Sequence, residues 1–376
     1  MYDVIVVGAR CAGSTTARLL AQQGRRVLIV DRAQFPSDTV STHCITPGGV
    51  TQLRRWGLLD RVLATNVPKV YSFCLTIGPS EIRDPFGVSE EQVTVSPRRT
   101  VLDKLLLDAA AEAGAEVKEG VTVKDLQRQG DKVTGIVGHD DAGVTLDAEA
   151  KLVIGADGTH SFIAKTVGAE VYNERPTRGS GYYAYFTDFP MDAVELAFNE
   201  GNFAGIFPTN DGETCVFAGK DDSEFADMRE DPDAGHQEIV ATANPRLGEA
   251  RAAATRQSRW FAFRTTPGFY RKPYGPGWAL VGDAGLHKDP VTGHGITAAF
   301  RDAELLAGAV HDGLDGDDLE GRLAGYQARR DELSAELYDT TQEIAALGWS
   351  DASLLDTFLR FGGAAMAEVE AINAFG

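Results

Sequence analysis

The chain has 376 residues, 43% of them hydrophobic and 24% charged, with 36 Lys plus Arg against 55 Asp plus Glu for a net charge of −19. That length exceeds one ordinary core and predicts two lobes, or a domain carrying a large insertion. Such acidity repels nucleic acid and anionic lipid, which excludes both as partners, and no run approaches the ~20 apolar residues of a membrane span.

The chain opens with Tyr2-Asp3-Val4-Ile5-Val6-Val7, too apolar and β-branched to be anything but a buried strand. It breaks at Gly8-Ala9-Arg10-Cys11-Ala12-Gly13, a helix is predicted from Ser14 to Gln23, and Val27-Leu28-Ile29-Val30 forms a second buried strand ending on Asp31-Arg32. A strand, glycine turn, helix, strand and acid in that order is a dinucleotide-binding unit. Gly8 permits the tight turn, Gly13 lets the helix approach the strand, and the helix N-terminus offers free N–H groups to a pyrophosphate. Asp31 is placed to accept from ribose hydroxyls. Arg10 stands where the motif has its middle glycine. Because this unit begins at Met1, no secretory signal is expected ahead of it, and a cytoplasmic location follows. Four cysteines, Cys11, Cys44, Cys74 and Cys215, form no C-x-x-C pair, so reduced thiols and no metal centre are expected.

A long loop then carries His43, either as a surface histidine or as a group near the cofactor. Val50, Leu53, Trp56 and Leu59 predict one helix; Val70 to Ile77 and Val93 to Ser96 predict short strands. Arg98-Arg99 heads a helix running to Ala113, a pair that suits either a pyrophosphate or solvent. Val121 to Val123, Val133 to Val137 and Ala150 to Ile154 predict a strand, a hairpin excursion and a return strand. The last ends at Gly155-Ala156-Asp157-Gly158 before another helix.

From Tyr172 to Arg264 the pattern becomes alternating, aromatic strands. The two-residue period puts Tyr183 and Tyr185 on one face. Phe203 to Pro208 and Thr214 to Ala218 flank an Asn210-Asp211-Gly212 turn and predict a hairpin. These aromatics either roof an apolar substrate or simply fill a core. Trp278-Ala279-Leu280-Val281 returns to the buried-strand style, ends on Gly282-Asp283-Ala284, and leads through Pro290-Val291-Thr292-Gly293-His294-Gly295-Ile296 into a helix. The remainder is charged and helical.

Taken together and in order, the N-terminal unit with Asp31, the Arg98-Arg99 helix start, Gly155-Ala156-Asp157-Gly158 and Gly282-Asp283-Ala284 with its Pro-x-Thr-Gly-x-Gly-Ile tail resemble the FAD-dependent oxidoreductases of the para-hydroxybenzoate hydroxylase type. That superfamily also includes geranylgeranyl reductases and flavin halogenases. The resemblance implies an α/β fold: a discontinuous Rossmann-like FAD domain with a parallel sheet and a three-stranded crossover sheet (1–70, 97–172 and 265–318), an inserted antiparallel substrate sheet (71–96 and 173–264), and C-terminal helices (319–376). It implies that Gly8, Arg10, Ala12, Gly13, Asp31, Arg32 and Arg99 serve the AMP half of FAD, with Val123 beside the adenine. Asp157, Gly158, Gly282 and Asp283 would support the central part, and Pro290, Gly293, His294, Gly295 and Ile296 would face the flavin ring. A helix N-terminus there stabilises the anionic reduced flavin.

Some wording departs from the family. Lys165 replaces an arginine after Asp157-Gly158, Leu286 stands where hydroxylases often carry histidine, with His287 next, and Gly205 replaces a tryptophan of the reductases' aromatic-x-Trp-x-Phe-Pro motif. The Trp-x-Trp-x-Ile-Pro mark of halogenases is absent, which argues against halogenation. The implied activity is a monooxygenase, using NAD(P)H as transient reductant (or electrons from a separate flavin reductase) and O2 through a flavin C4a-hydroperoxide to hydroxylate or epoxidise an apolar, aromatic or polyketide-like molecule. The alternative is a reductase of carbon–carbon double bonds. Tyr183, Tyr185, Phe203, Gly205 and Phe207 are the expected substrate contacts, and His43, His287 and His294 the candidates for proton transfer.

Overall fold

The Tyr2–Val7 strand lies at the centre of the first sheet of the computed structural model, which describes residues 1–84, 93–316 and 318–375, apart from side chains 226 and 227. Residues 85–92, inside the expected 71–96 substrate segment, lie outside the described residues, as do 317 and 376, at the ends of two other predicted segments. Val4, Ile5 and Val6 are fully buried because the sheet is covered on both faces. Parallel neighbours are Val27–Val30 on one side and Thr145–Gly155 on the other, extended outward by Glu116–Lys118 and Trp278–Leu280. The helices Cys11–Gln22 and Gly295–Gly313, far apart in sequence, pack together on one face over Val4, Val6 and Ile29. On the other face Ile5, Val7, Leu28 and Val30 meet Ile136 and Val153. Thr122–Gln129, Lys132–His139 and Thr145–Gly155 form the expected antiparallel excursion, and the last is long enough to continue into the parallel sheet.

The second sheet runs Thr255–Arg256, Gly179–Thr187, Thr214–Asp221, Asn202–Pro208, Ala193–Asn199, Ser72–Ile77, Ser80–Arg83, with Phe261–Arg264 also beside Gly179–Thr187. The predicted hairpin is there, Pro208 opposite Thr214. Alternation separates two environments: Tyr183 and Tyr185 join Phe207, Phe217 and Phe263 on one face, whereas Tyr182, Ala184 and Phe186 face Ile239 and Val240 of the Pro232–Ala243 helix.

Three local expectations change. Ser72–Ile77 pairs parallel with Ala193–Asn199, so the inserted sheet is not wholly antiparallel. Parallel neighbours need a long crossover, and here it includes the Arg99–Glu112 helix and the strands from Glu116–Lys118 to Thr145–Gly155. The stretch read as strands up to Arg264 contains the helices Phe225–Glu230, Pro232–Ala243 and Pro245–Ala253. Their signals were local: Asp231 accepts from the N–H groups of Asp233 and Ala234, Asn244 accepts from that of Leu247, and each is followed by a proline. The single helix expected over Val50 to Leu59 is two, Pro47–Arg55 and Leu59–Leu63, because Gly57 takes φ 70° between them. A third sheet of Val171–Arg175, Gly268–Arg271 and Leu286–His287 was not anticipated. The chain finishes in two long helices, Leu319–Ala345 and Asp351–Asn373, the second carrying Leu354 and Phe358 into the aromatic cluster. Among the described residues no helix is long and apolar enough to cross a membrane.

Candidate active site

The first glycine turn leaves no space for side chains. Gly8 has φ 106°, and a Cβ there would lie 2.3 Å from the Ala156 carbonyl oxygen; on Gly13 it would lie 1.7 Å from the Gly8 oxygen. The Cys11–Gln22 helix starts without a side-chain cap and without an acidic residue in its first turn, so its first N–H groups are left for an anion. Asp31 fixes the turn: its carboxylate accepts from Ala9 N at 2.7 Å and from Ala33 N at 2.8 Å. Arg32 beside it is exposed. The Gly120–Val123 approach is tied to the same loop, Val121 N donating to Asp31 O at 2.8 Å. Ala12 is partly buried, packed against the helix-side core.

Arg10 does not lie along that turn. Its guanidinium donates to Asp103 Oδ2 at 2.7 Å and to the carbonyl oxygens of Ser37 at 3.3 Å and Asp38 at 3.2 Å, pinning the loop that leads to His43. Arg99 shares the same carboxylate, donating to Asp103 Oδ1 from Nε at 3.0 Å and Nη2 at 2.9 Å. Burial works against the Arg99 charge, but Asp103 outweighs it and holds the guanidinium's pKa above its ordinary value. Its neighbour Arg98 turns the other way, to Glu213 at 2.9 Å, with its guanidinium 4.0 Å above the Tyr185 ring.

His43 is fully buried at φ 65°, a left-handed conformation uncommon outside glycine. Its Nε2 is 2.8 Å from the Tyr185 hydroxyl, its ring meets Tyr183 and Tyr185 edge-on, and its buried Nδ1 has no hydrogen-bond partner among the described residues. Burial, then the charges of Arg99 and Arg98, push its pKa down to about 3, so the ring is neutral at physiological pH.

Asp157 caps the Phe162–Val167 helix, accepting from Ser161 Oγ at 2.5 Å and Ile163 N at 3.1 Å; Gly158 follows at φ 81° with open space where a Cβ would sit. Gly282, at φ 60°, would bring a Cβ to 2.8 Å from that of Ala12, so this turn and the first lie against each other. Asp283 keeps a half-exposed carboxylate, with Thr159 Oγ1 at 3.4 Å and His287 Nδ1 at 3.5 Å. His287 is buried and its Nε2 meets Thr266 Oγ1 at 2.9 Å.

Past Pro290, the Gly295–Gly313 helix begins on His294 with no side-chain cap, no acid in its first turn, and open space at Gly295. Behind it lies a buried charged network that the sequence did not disclose. His294 Nε2 is 2.7 Å from Glu368 Oε2 and its Nδ1 is 3.1 Å from Lys288 Nζ. Arg301 donates to Glu368 Oε1 at 2.6 Å, to Asp302 Oδ1 and to Ser334 Oγ. Burial alone would raise Glu368, yet His294 and Arg301 hold it down to about 2, while burial and Arg301 press Lys288 down to about 8. Lys288, between His287 and Asp289, carried no distinguishing pattern. Glu368, on the last helix, offered none.

The second sheet meets loops of the first lobe at a narrow cavity of ≈ 20 Å³. Phe203, Gly205 and Phe207 line it, with Leu196, Phe217 and Phe263; Thr42, Asp289, Pro290 and Val291 close it from the first lobe. Tyr183 and Tyr185 stand behind, Tyr183 stacked on Phe217 at 4.4 Å. A Cβ on Gly205 would already lie 2.9 Å from the Phe207 ring. Asp289 was missed by the sequence reading, although Asp-Pro at the head of a turn is a capping signal.

Over residues 1–341 the chain matches the FAD binding domain family. The chain belongs to that family. It is an FAD-dependent oxidoreductase, and the glycine cradle, the two uncapped helix starts and the half-exposed Asp283 fit the cofactor. Menaquinone reductase of Mycolicibacterium smegmatis is 28% identical over 319 residues, 81% of this chain and 75% of the reductase. Squalene monooxygenase of Rattus norvegicus is 26% identical over 342 residues, 87% of this chain but 57% of the monooxygenase. A triple mutant of the flavin-dependent brominase Bmp2 superposes with a TM-score of 0.83 at 19% identity, covering 100% of this chain and 94% of the brominase; that likeness speaks to the fold.

Proposed function

We propose that this FAD-dependent oxidoreductase is a monooxygenase acting on an apolar, aromatic or polyketide-like small molecule with NAD(P)H and O2. Substrate, O2, NAD(P)H and a proton would give oxygenated substrate, NAD(P)+ and water. The observation that carries this reading is the aromatic cavity closed on one side by Thr42 and Pro290, the two loops that flank the uncapped helix start at Gly295. When bound, FAD supplies two-electron exchange with a nicotinamide donor and activation of O2.

The chain's own part is placement and exclusion. Phe203, Phe207, Phe217 and Phe263 surround the substrate with apolar surface and keep out water, which protects reactive oxygen chemistry from side reactions. The Gly295 helix start presents a positive end to developing negative charge. His43, neutral at physiological pH, anchors the Tyr185 hydroxyl through its Nε2. At ≈ 20 Å³ the cavity has to widen to admit such a substrate.

A second reading, a reductase of carbon–carbon double bonds, is favoured by Asp289, a carboxyl in the cavity wall suited to delivering a proton to carbon. NAD(P)H oxidation followed with and without O2, against a panel of aromatic and polyketide substrates, separates the two. Substrate-dependent turnover with matching O2 uptake is expected; turnover undiminished in the absence of O2 assigns the reductase instead.

A further inference from the structure

One polar group in the cavity has no counterpart. Thr42 and Asp289 are the only polar side chains among the lining residues, and Asp289 is only 5% exposed. Its backbone N–H donates to Gln342 Oε1 at 3.0 Å and its Oδ1 accepts from Val291 N at 2.9 Å, so the carboxyl is held from both ends. Its Oδ2 is buried with no hydrogen-bond partner among the described residues, although the Thr265 hydroxyl is near enough to favour the charged form. Leaving a buried carboxylate oxygen unpaired costs free energy comparable to a lost charged hydrogen bond.

We propose that Asp289 Oδ2 accepts a hydrogen bond from one hydroxyl or N–H on an otherwise apolar ligand, and so fixes which carbon of that ligand faces the flavin side of the cavity. The inference rests on the cavity reading above and narrows it to apolar molecules bearing one neutral donor, with carboxylates disfavoured by repulsion. Burial raises the Asp289 carboxyl to about 6, with the Val291 N–H and the His287 imidazole pulling against it, so at pH 8 the group is ionised and acts as an acceptor alone. Specificity by pairing an otherwise orphaned buried group is sharper than specificity by size, because a ligand lacking the donor leaves the orphan in place.

The test is calorimetric titration of the FAD-loaded protein at pH 8 with 2-naphthol, 2-methoxynaphthalene and naphthalene. The ether keeps the ring and the oxygen but has no donor. Wild-type protein is expected to bind 2-naphthol at least about tenfold more tightly than either other probe, the scale of a hydrogen bond to a charged group. Asp289→Asn preserves the cap to Val291 but presents N–H to the cavity, and should bring the naphthol-to-ether ratio to within about twofold. All three probes binding wild type equally overturns the role of Asp289 while leaving the apolar cavity intact, and so does an unchanged ratio in the variant. Binding of none of the three overturns the cavity reading and this inference together. The wild-type ratio needs no variant, so a poorly folding Asp289→Asn would not shield the proposal.

Discussion

Two neighbouring regions of this protein reach their selectivity by different routes. The dinucleotide cradle is made by backbone: Gly8, Gly13 and Gly282 bring turns together at distances no side chain permits, and helix starts supply N–H groups. Its parts are short words in the sequence. The apolar cavity is made by side chains from strands that meet only after the chain has crossed between lobes, with Phe203, Phe217 and Phe263 on one side and Asp289 on the other. A backbone site tolerates almost no change at its few glycines and is indifferent to most else; a side-chain cavity can be retuned residue by residue. The difference teaches why the cofactor is fixed across such proteins while substrates diverge.

That contrast can be broken at the cradle first. Gly13→Val places a side chain inside the Gly8 carbonyl, so purified protein is expected to carry no flavin absorbance; a normal flavin-to-protein ratio would contradict the backbone account. Next in size is the charged network behind the Gly295 helix start. Glu368→Gln takes away the anion of buried His294 and leaves buried Arg301 with Asp302 alone, and should lower unfolding free energy by about 3 kcal/mol in denaturant titration. A loss under ~1 kcal/mol would mean that Asp302 alone suffices. Gly205→Trp acts on the cavity only: it should weaken 2-naphthol binding about tenfold or more while flavin content stays unchanged. Loss of flavin in that variant would show the two regions to be inseparable.

The smallest effect is in pH dependence. Folded His43 stays neutral down to about 3, whereas the unfolded ring takes a proton near 6.5. In that window the unfolded state binds the extra proton, so stability is fully present above it and falls as pH falls. His43→Gln should reduce the slope of stability against pH between 6 and 4 by up to about 1.4 kcal/mol per unit, read from chemical denaturation at several pH values. An unaltered slope would place His43 in a solvated setting.

The same contrast explains what the sequence disclosed. The parallel sheet, the Asn210-Asp211-Gly212 hairpin and the shared face of Tyr183 and Tyr185 follow from local period and turn chemistry, and all are present. The helices at Pro232 and Pro245 were also local, but the aromatic alternation around them drew attention from their Asp-Pro and Asn-Pro starts. Arg10 could be read as a blemish in a glycine motif, yet its partner Asp103 lies on a helix far along the chain. The parallel pairing of Ser72–Ile77 with Ala193–Asn199 and the meeting of His294 with Glu368 depend on tertiary crossovers, for which no local pattern exists.

The central claim is that the cavity serves oxygen insertion into an apolar molecule beside FAD. It is met most directly by supplying isotopically labelled O2 to the FAD-loaded protein with NAD(P)H and an apolar hydroxyl-bearing aromatic substrate, and weighing the product. One labelled oxygen atom per product molecule, with one NAD(P)H consumed, is the expected result. A product that gains two hydrogens and no label would contradict it.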